Sequence, residues 1–398
     1  IASQLAVKNP SRVDWNLGLA KSHFYIGYVH WQRGDLEQAA EMFLEQLSIV
    51  DALATAEPEN AERLAASGYA WTNYGRVLEL SGRYPEARQA YETVMEVFMR
   101  LEALQPEDVD TRLEVGFAHN NLGKLKTSLG MLDAAESHFR SDLAIKQQVV
   151  DEFPGNNLWR EFLAVSHFWL GKLLEARGQL AESREQGDSA LQVFNSLIDT
   201  DASNMHWLQR RAAVRRLLAA VCRQQGDSVC AGMHIERSQA DLAILVEANP
   251  ENAQWQRELG FSRIEAAWQA ALAGQPERAT GLVDDVLRPI SIPDDEAAID
   301  SETCKLKALA LLTKGDLDHR VNHEAGALLA WRSALDTLEG PFNNTLNPEF
   351  IDLQARLFER LGMTLEAGVA AEQLSVLGFN SSYPPLYAPS EFPGAGSR

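Results

Sequence analysis

YIGYVHWQRGDLEQAAEMF, residues 25–43, carries four marks that return along the chain: Gly27, Gly34, Ala39 and Phe43. Gly34 recurs at Gly82, Gly130, Gly178, Gly226 and Gly274, a constant step in the numbering. Gly27 recurs at Gly75, Gly123 and Gly171, and Ala39 at Ala87, Ala135, Ala231 and Ala279. Outside the quoted stretch, Pro58, Pro106, Pro154 and Pro250 keep the same beat, as do Trp15, Trp159, Trp207 and Trp255. A constant period in the range of about 20–50 residues marks a stacked-repeat architecture. It overrides the two or three globular domains that 398 residues would otherwise imply, because each repeat is buried by its neighbours along one axis.

Each period reads as two helices. In the first, helix A is expected from about Ser11 to Arg33 and helix B from about Leu36 to Glu57, with apolar residues at helical spacing (Leu36, Ala40, Phe43, Leu47, Val50). Gly34-Asp35 ends helix A, and Pro58 with Asn60 separates helix B from the next unit. Gly27 and Ala39 are expected to let the two helices approach, with Phe43, Tyr91 and Phe139 filling space between hairpins; the fourth repeat has Gly187 at that place. The spacing predicts an all-α solenoid: the end of a preceding helix at 1–9, six repeats over 10–287, a loop at 288–300, two atypical hairpins over 301–379 and a flexible Pro/Gly/Ser-rich tail over 380–398. The unit after the loop is expected to have a short helix A, about 302–314, followed by extra residues DHRVNH. The opening IASQLAVKNP matches LAILVEANP before the sixth repeat, so the chain reads as part of a longer polypeptide.

Composition narrows the function. A net charge of −20 argues against general binding to nucleic acid or an anionic membrane, both of which need a cationic surface. The hydrophobic fraction of 45% is that of a folded soluble protein. No apolar run is long enough to span a bilayer. Cys222, Cys230 and Cys304 form neither a disulfide framework nor a CxxC metal pair; Cys222 and Cys230, on the two helices of one hairpin, read as small buried residues, with a redox or bridging role as the alternative.

With its apolar-Gly pair in helix A, Gly at the turn, Ala five residues later, a following aromatic and a closing Pro, the pattern resembles the tetratricopeptide repeat family; NNLGKLKTSLGMLDAAESHF, residues 120–139, is its clearest copy. The family's usual unit is about 34 residues. The longer unit here resembles the extended class found in kinesin light chain. NPENAQWQRELGFSRIEAAW (249–268) and PGNNLWREFLAVSHFWLG (154–171) also resemble repeats behind effector domains in bacterial signalling proteins. The resemblance implies a right-handed superhelix with helix A lining a concave groove, a scaffolding rather than enzymatic role, and no cofactor. It implies a cytoplasmic location, or a periplasmic one if a membrane anchor precedes the chain.

The same resemblance places groove residues on helix A. One row reads Tyr28, Arg76, Lys124, Lys172, Ala220 and Trp268, basic at its centre. Asn73 and Asn121 precede the inner glycines by two residues, where an amide can both donate to and accept from a peptide backbone; Asn120 and Phe168 begin their rows, and Arg216 and Arg223 extend the groove through the fifth repeat. The five-residue clamp for a C-terminal carboxylate is not reproduced, since Tyr69 and Thr72 stand in its place. The basic row points to an acidic protein or peptide partner. Two alternatives stand beside it: self-association, including contact with an effector domain of the same chain, and sensing of a small anion by Arg210, Arg211, Arg215, Arg216 and Arg223, for which internal salt bridges are the plainer reading. The recurrent tryptophans read as packing between repeats. No phosphate loop, HExxH or GxSxG occurs, and His319 and His323 lack a third metal ligand, so no catalytic or metal site is expected.

Overall fold

The computed structural model describes residues 12–289, 301–339, 345–383 and 386; the expected preceding helix at 1–9, most of the 288–300 loop and most of the tail lie outside them. Among the described residues the chain forms sixteen helices and no strand, an α-solenoid of consecutive hairpins. They are α1 (Val13–Arg33), α2 (Leu36–Ala56), α3 (Ala61–Leu80), α4 (Tyr84–Leu104), α5 (Val109–Ser128), α6 (Leu132–Glu152), α7 (Asn157–Ala176), α8 (Leu180–Thr200), α9 (Met205–Gln224), α10 (Ser228–Ala248), α11 (Ala253–Leu272), α12 (Pro276–Leu287), α13 (Ser301–Arg320), α14 (Glu324–Leu338), α15 (Pro348–Arg360) and α16 (Thr364–Leu377). Odd-numbered helices are the A helices. Two compact units are formed, one over residues 1–129 and 133–153 and one over 130–132 and 154–398.

The beat has a local cause at each mark. The turn glycines Gly34, Gly82, Gly130, Gly178, Gly226 and Gly274 all have φ between 70° and 83°, a left-handed conformation that closes helix A and that a Cβ disfavours. Asn60, Asn204 and Asn252, at matching places in their periods, cap the next helix A by accepting the backbone N–H three residues on. Inside each hairpin the aromatic lies on the helix A glycine: a Cβ on Gly27 would sit 3.0 Å from Phe43, one on Gly75 2.9 Å from Tyr91 and one on Gly123 2.7 Å from Phe139. These rings therefore fill the hairpin itself as well as the space toward the next unit, where Phe43 also meets Val77. In the fourth repeat Leu218 fills the place left by Gly187, and Ser183, standing at the alanine position, donates to the carbonyl of Gly171 at 2.7 Å.

The hairpin after the loop departs from expectation. Its helix A is not short: α13 runs through Asp318-His319-Arg320 and is 20 residues long. The turn glycine is replaced by Asn322, the one non-glycine residue with positive φ (61°) among those described. Asn322 stands one period after Gly274, Ala327 one period after Ala279, and Gly315 and Trp331 occupy the places of Gly27 and Phe43. The array thus keeps its phase across the loop, with Trp331 packed where a Gly315 side chain would go. Asparagine is the side-chain-bearing residue that best tolerates this backbone, which explains how the beat continues without its glycine.

Candidate functional site: the helix A face

In the first unit the predicted groove residues are largely spent on neighbours. Tyr28 is 43% exposed and sits in an aromatic group with Phe24 and Trp31 on α1. Arg76 is paired with Glu79 at 2.9 Å, and the same carboxylate accepts the Tyr91 hydroxyl. Asn120 is turned inward, 6% exposed, donating to Asp142 at 3.2 Å. Its place as an open groove residue is corrected by that burial. Asn73, Asn121 and Lys124 are half-buried on α3 and α5. Behind this face lies a buried ion pair that sequence reading missed: Lys146 Nζ to Asp142, 2.6 Å, both side chains at most 1% exposed, with the ammonium 4.4 Å from the Phe117 ring centre. Burial pushes the Lys146 ammonium below its usual range, and Asp142 opposes that.

A second polar pair in this unit has an internal comparison. His119 Nδ1 and His138 Nδ1 lie 2.9 Å apart; one period later the same two positions hold His167 and Gln186, 2.7 Å apart. Burial, then the neighbouring His119 and Lys126, pushes His138 down to about 4. The folded state therefore binds fewer protons than the unfolded one between pH ~6.5 and ~4, and stability is lost as pH falls through that window. His138→Gln, which copies the next repeat, is expected to leave the melting temperature unchanged at pH 8. At pH 5 it should raise stability by about 1 kcal/mol, allowing for the half-exposed site. Thermal melts at the two pH values decide it; equal shifts at both would exclude the histidine pair as the cause.

In the second unit the A helices carry an interlocked set of charges. Lys172 on α7 pairs with Glu349 on α15 at 3.3 Å, and Lys305 on α13 pairs with the same carboxylate. Burial works against ionisation of Glu349, but the two lysines outweigh it and hold the carboxyl well below the usual range. Arg216 on α9 pairs with Glu265 on α11 at 3.2 Å and covers the Phe261 ring. Gln224 donates to Glu175, whose carboxyl burial pushes up to about 7 against the pull of Arg223. Phe168 packs on the hydrophobic cluster of α7 to α11 and edge-on to Trp169. Arg211 holds Asp241 with two bonds of 2.7 and 3.0 Å, and Arg215 joins it at 2.6 Å, so these members of the arginine cluster form internal salt bridges. The tryptophans tie neighbouring repeats: Trp207 donates to Glu161 at 2.7 Å and Trp255 to Gln209 at 3.2 Å.

The same face holds a segment of its own chain. Gly378, φ 66°, ends α16 and redirects the backbone. Asn380 N–H then donates to the Ala176 carbonyl at 2.6 Å, and its side chain to Gln224 at 3.3 Å. Arg223 donates to the Ser382 carbonyl at 3.0 Å, and Arg356 to the Tyr383 carbonyl at 3.1 Å. Ser381 bridges Arg356 and Asp352, each at 2.6 Å. The Tyr383 ring meets Trp268 edge-on at 5.5 Å, and Leu386, 5% exposed, joins the cluster around Trp268, Leu309 and Leu312. Trp268 is fixed by a 3.0 Å bond to Thr313, and Arg360 by bonds of 2.6 and 2.8 Å to Asp316. Of the predicted groove residues, Arg223 and Trp268 meet at one place, with Arg223 5.1 Å over the Trp268 ring. Arg356, Asp352 and Leu309 belong to the same site and lay outside the expected rows. Cys222 and Cys230 are not merely small buried residues: they are joined, S–S 2.08 Å, across the α9–α10 hairpin.

No helix among the described residues is long and apolar enough to cross a membrane. Comparison with known proteins agrees with the repeat geometry. The family model described as Tetratricopeptide repeat matches residues 27–45 and 68–93. No curated protein matches the chain. Among solved structures, a Rap protein complexed with Competence and Sporulation Factor superimposes with a TM-score of 0.55 at 10% identity, covering 90% of this chain and 87% of that one, and shows the same fold. BtubC (BKLC) from P. vanneervenii aligns at 19% identity and TM-score 0.49, covering 65% of this chain and 94% of that one. A tetratricopeptide repeat protein from Parabacteroides merdae aligns at 15% identity and TM-score 0.43, covering 84% and 98%. The two matched stretches and the shared fold support a repeat protein of the tetratricopeptide type.

Proposed function

We propose that this protein is a non-enzymatic interaction scaffold whose second unit recognises an extended peptide segment on its A helices, as the sensing region of a larger signalling protein. The observation that carries the reading is the seating of Asn380–Tyr383 and Leu386. One backbone N–H and two backbone carbonyls of that segment are satisfied by the face, and an aromatic and a leucine three residues apart enter apolar positions. Backbone bonds give register, and side-chain pockets give selectivity. On this face Lys172 and Lys305 already have Glu349 as their partner and Arg216 has Glu265, so it favours a polar, aromatic-containing segment over a strongly acidic one. The chain's own segment then competes with a partner at an effective concentration of order millimolar, set by a short tether.

The test uses the full chain with Tyr383→Ala and Leu386→Ala, which weaken the internal segment, and a fluorescent peptide GFNSSYPPLYAP copied from residues 378–389. The variant is expected to bind the peptide at least about tenfold more tightly than the parent, as loss of an intramolecular competitor requires. Adding Arg223→Ala is expected to remove most of that gain. Equal binding by parent and variant, with both folded by circular dichroism, would refute the reading.

A further inference from the structure

Cys222 and Cys230 have no cysteine counterpart one period to either side, and His234 has no histidine there, although His138 holds its place two periods earlier. One period earlier the same places hold Leu174, Glu182 and Gln186; one period later they hold Ala270, Arg278 and Leu282. The fold brings the three side chains to one point at the α9–α10 hairpin, where the two sulfurs and a ring nitrogen of His234 all lie within 4.8 Å of one another. Cys230 and His234 are four residues apart on α10 and share a face, while Cys222 approaches from α9 with no exposed surface. His234 is 7% exposed, and its Nδ1 is buried without a hydrogen-bond partner. A buried, unpartnered imidazole nitrogen beside two sulfurs has a cost that hydrophobic packing does not recover.

We propose that, in the reduced protein, Cys222, Cys230 and His234 bind a thiophilic divalent cation of the zinc class, and that the disulfide and the metal are alternative states of one site. Two thiolates and one imidazole are a borderline-soft donor set, which prefers zinc to calcium or magnesium. Three protein ligands leave a fourth position for water. The surroundings favour thiolate at Cys230: Arg184 Nη2 lies 3.9 Å from its sulfur, and the residue sits in the first turn of α10, its N–H bonded to the cap Asp227. Opening the S–S bond takes two electrons and two protons from two molecules of a low-molecular-weight thiol, which attack in turn through a mixed disulfide and leave joined as their own disulfide. The metal then displaces the two thiol protons to solvent.

The experiment titrates the full chain, reduced and desalted under argon, with Co²⁺ and then Zn²⁺. One equivalent of Co²⁺ is expected to produce a thiolate-to-cobalt charge-transfer band that Zn²⁺ bleaches, and the disulfide form is expected to produce none until reduced. His234→Ala is expected to weaken Zn²⁺ binding at least about tenfold in competition with a chromophoric chelator, as loss of a ligand should. Cys230→Ser, at a half-exposed position, is expected to abolish the band, while Cys304→Ala leaves it intact. Absence of the band in folded, reduced protein, or unchanged affinity in His234→Ala, would overturn the site and leave the pair as a covalent staple only.

Discussion

Arg360→Met is expected to destabilise the second unit by about 3–5 kcal/mol, the range measured when one partner of a buried ion pair is removed. Arg360 and Asp316 are 6% and 4% exposed, and two bonds of 2.6 and 2.8 Å join them across α13 and α15. Without the guanidinium, Asp316 keeps the Trp331 indole donor, 3.0 Å away, but no longer has its paired cation. A carboxylate so enclosed must protonate or draw in water, and both cost stability. Adding Asp316→Leu is expected to recover most of the loss, leaving mainly the forfeited Trp331 bond at about 1 kcal/mol. Urea unfolding of the two variants measures this. If the double variant is no more stable than the single one, the ion pair is contributing more than mutual neutralisation. Arg360 and Leu386 line the same small cavity, so the single variant is expected to bind the 378–389 peptide less well even where it is folded.

Lys146→Met is the counterpart in the first unit, with a similar expected cost of about 3–5 kcal/mol. Methionine fits the volume and keeps contact with the Phe117 ring, so the loss isolates the charge. Asp142 is fully buried; it keeps the Asn120 amide as a donor and loses the ammonium that balances it. Because burial already holds the Lys146 ammonium below its usual range, the folded state sheds this proton before the unfolded chain does, and Lys146 is expected to add stability in the parent as pH rises from that lowered value to the ordinary lysine range. The Met variant should lose that alkaline limb. Melts between pH 8 and 11 read both effects; an identical alkaline slope in parent and variant would assign it to other groups.

The fold was legible because the residues that set it are rare and regularly placed. A glycine at positive φ in six successive periods, with an alanine five further on in five of them, leaves few architectures open. The eye loses the beat at Asn322 because one conformation can be met by two residue types, and only the backbone angle shows that the role is unchanged. The site was less legible for a reason of scale. Arg216 finds Glu265, and Gln224 finds Glu175, one period plus one residue away. Nothing in a row of helix A residues announces a counter-charge at that distance, so Arg216 looked open when it was already paired. Asn120 was misplaced likewise: its polar side chain faces inward because Asp142, itself buried by Lys146, needs a donor. The tail misleads in the opposite way. A Pro/Gly/Ser-rich sequence predicts a flexible tail, and Asn380–Tyr383 forms neither helix nor strand, but a non-helical segment with unsatisfied backbone groups is also what a helical face accommodates.

The paired positions 119/138 and 167/186 have a wider consequence. One socket, repeated at fixed backbone geometry, holds two histidines in one unit and a histidine with a glutamine in the next. Each repeat is therefore an isogenic control for its neighbour. Side-chain pairs can be transplanted between addresses one period apart, and any change in acid tolerance then belongs to the pair and not to the frame that carries it.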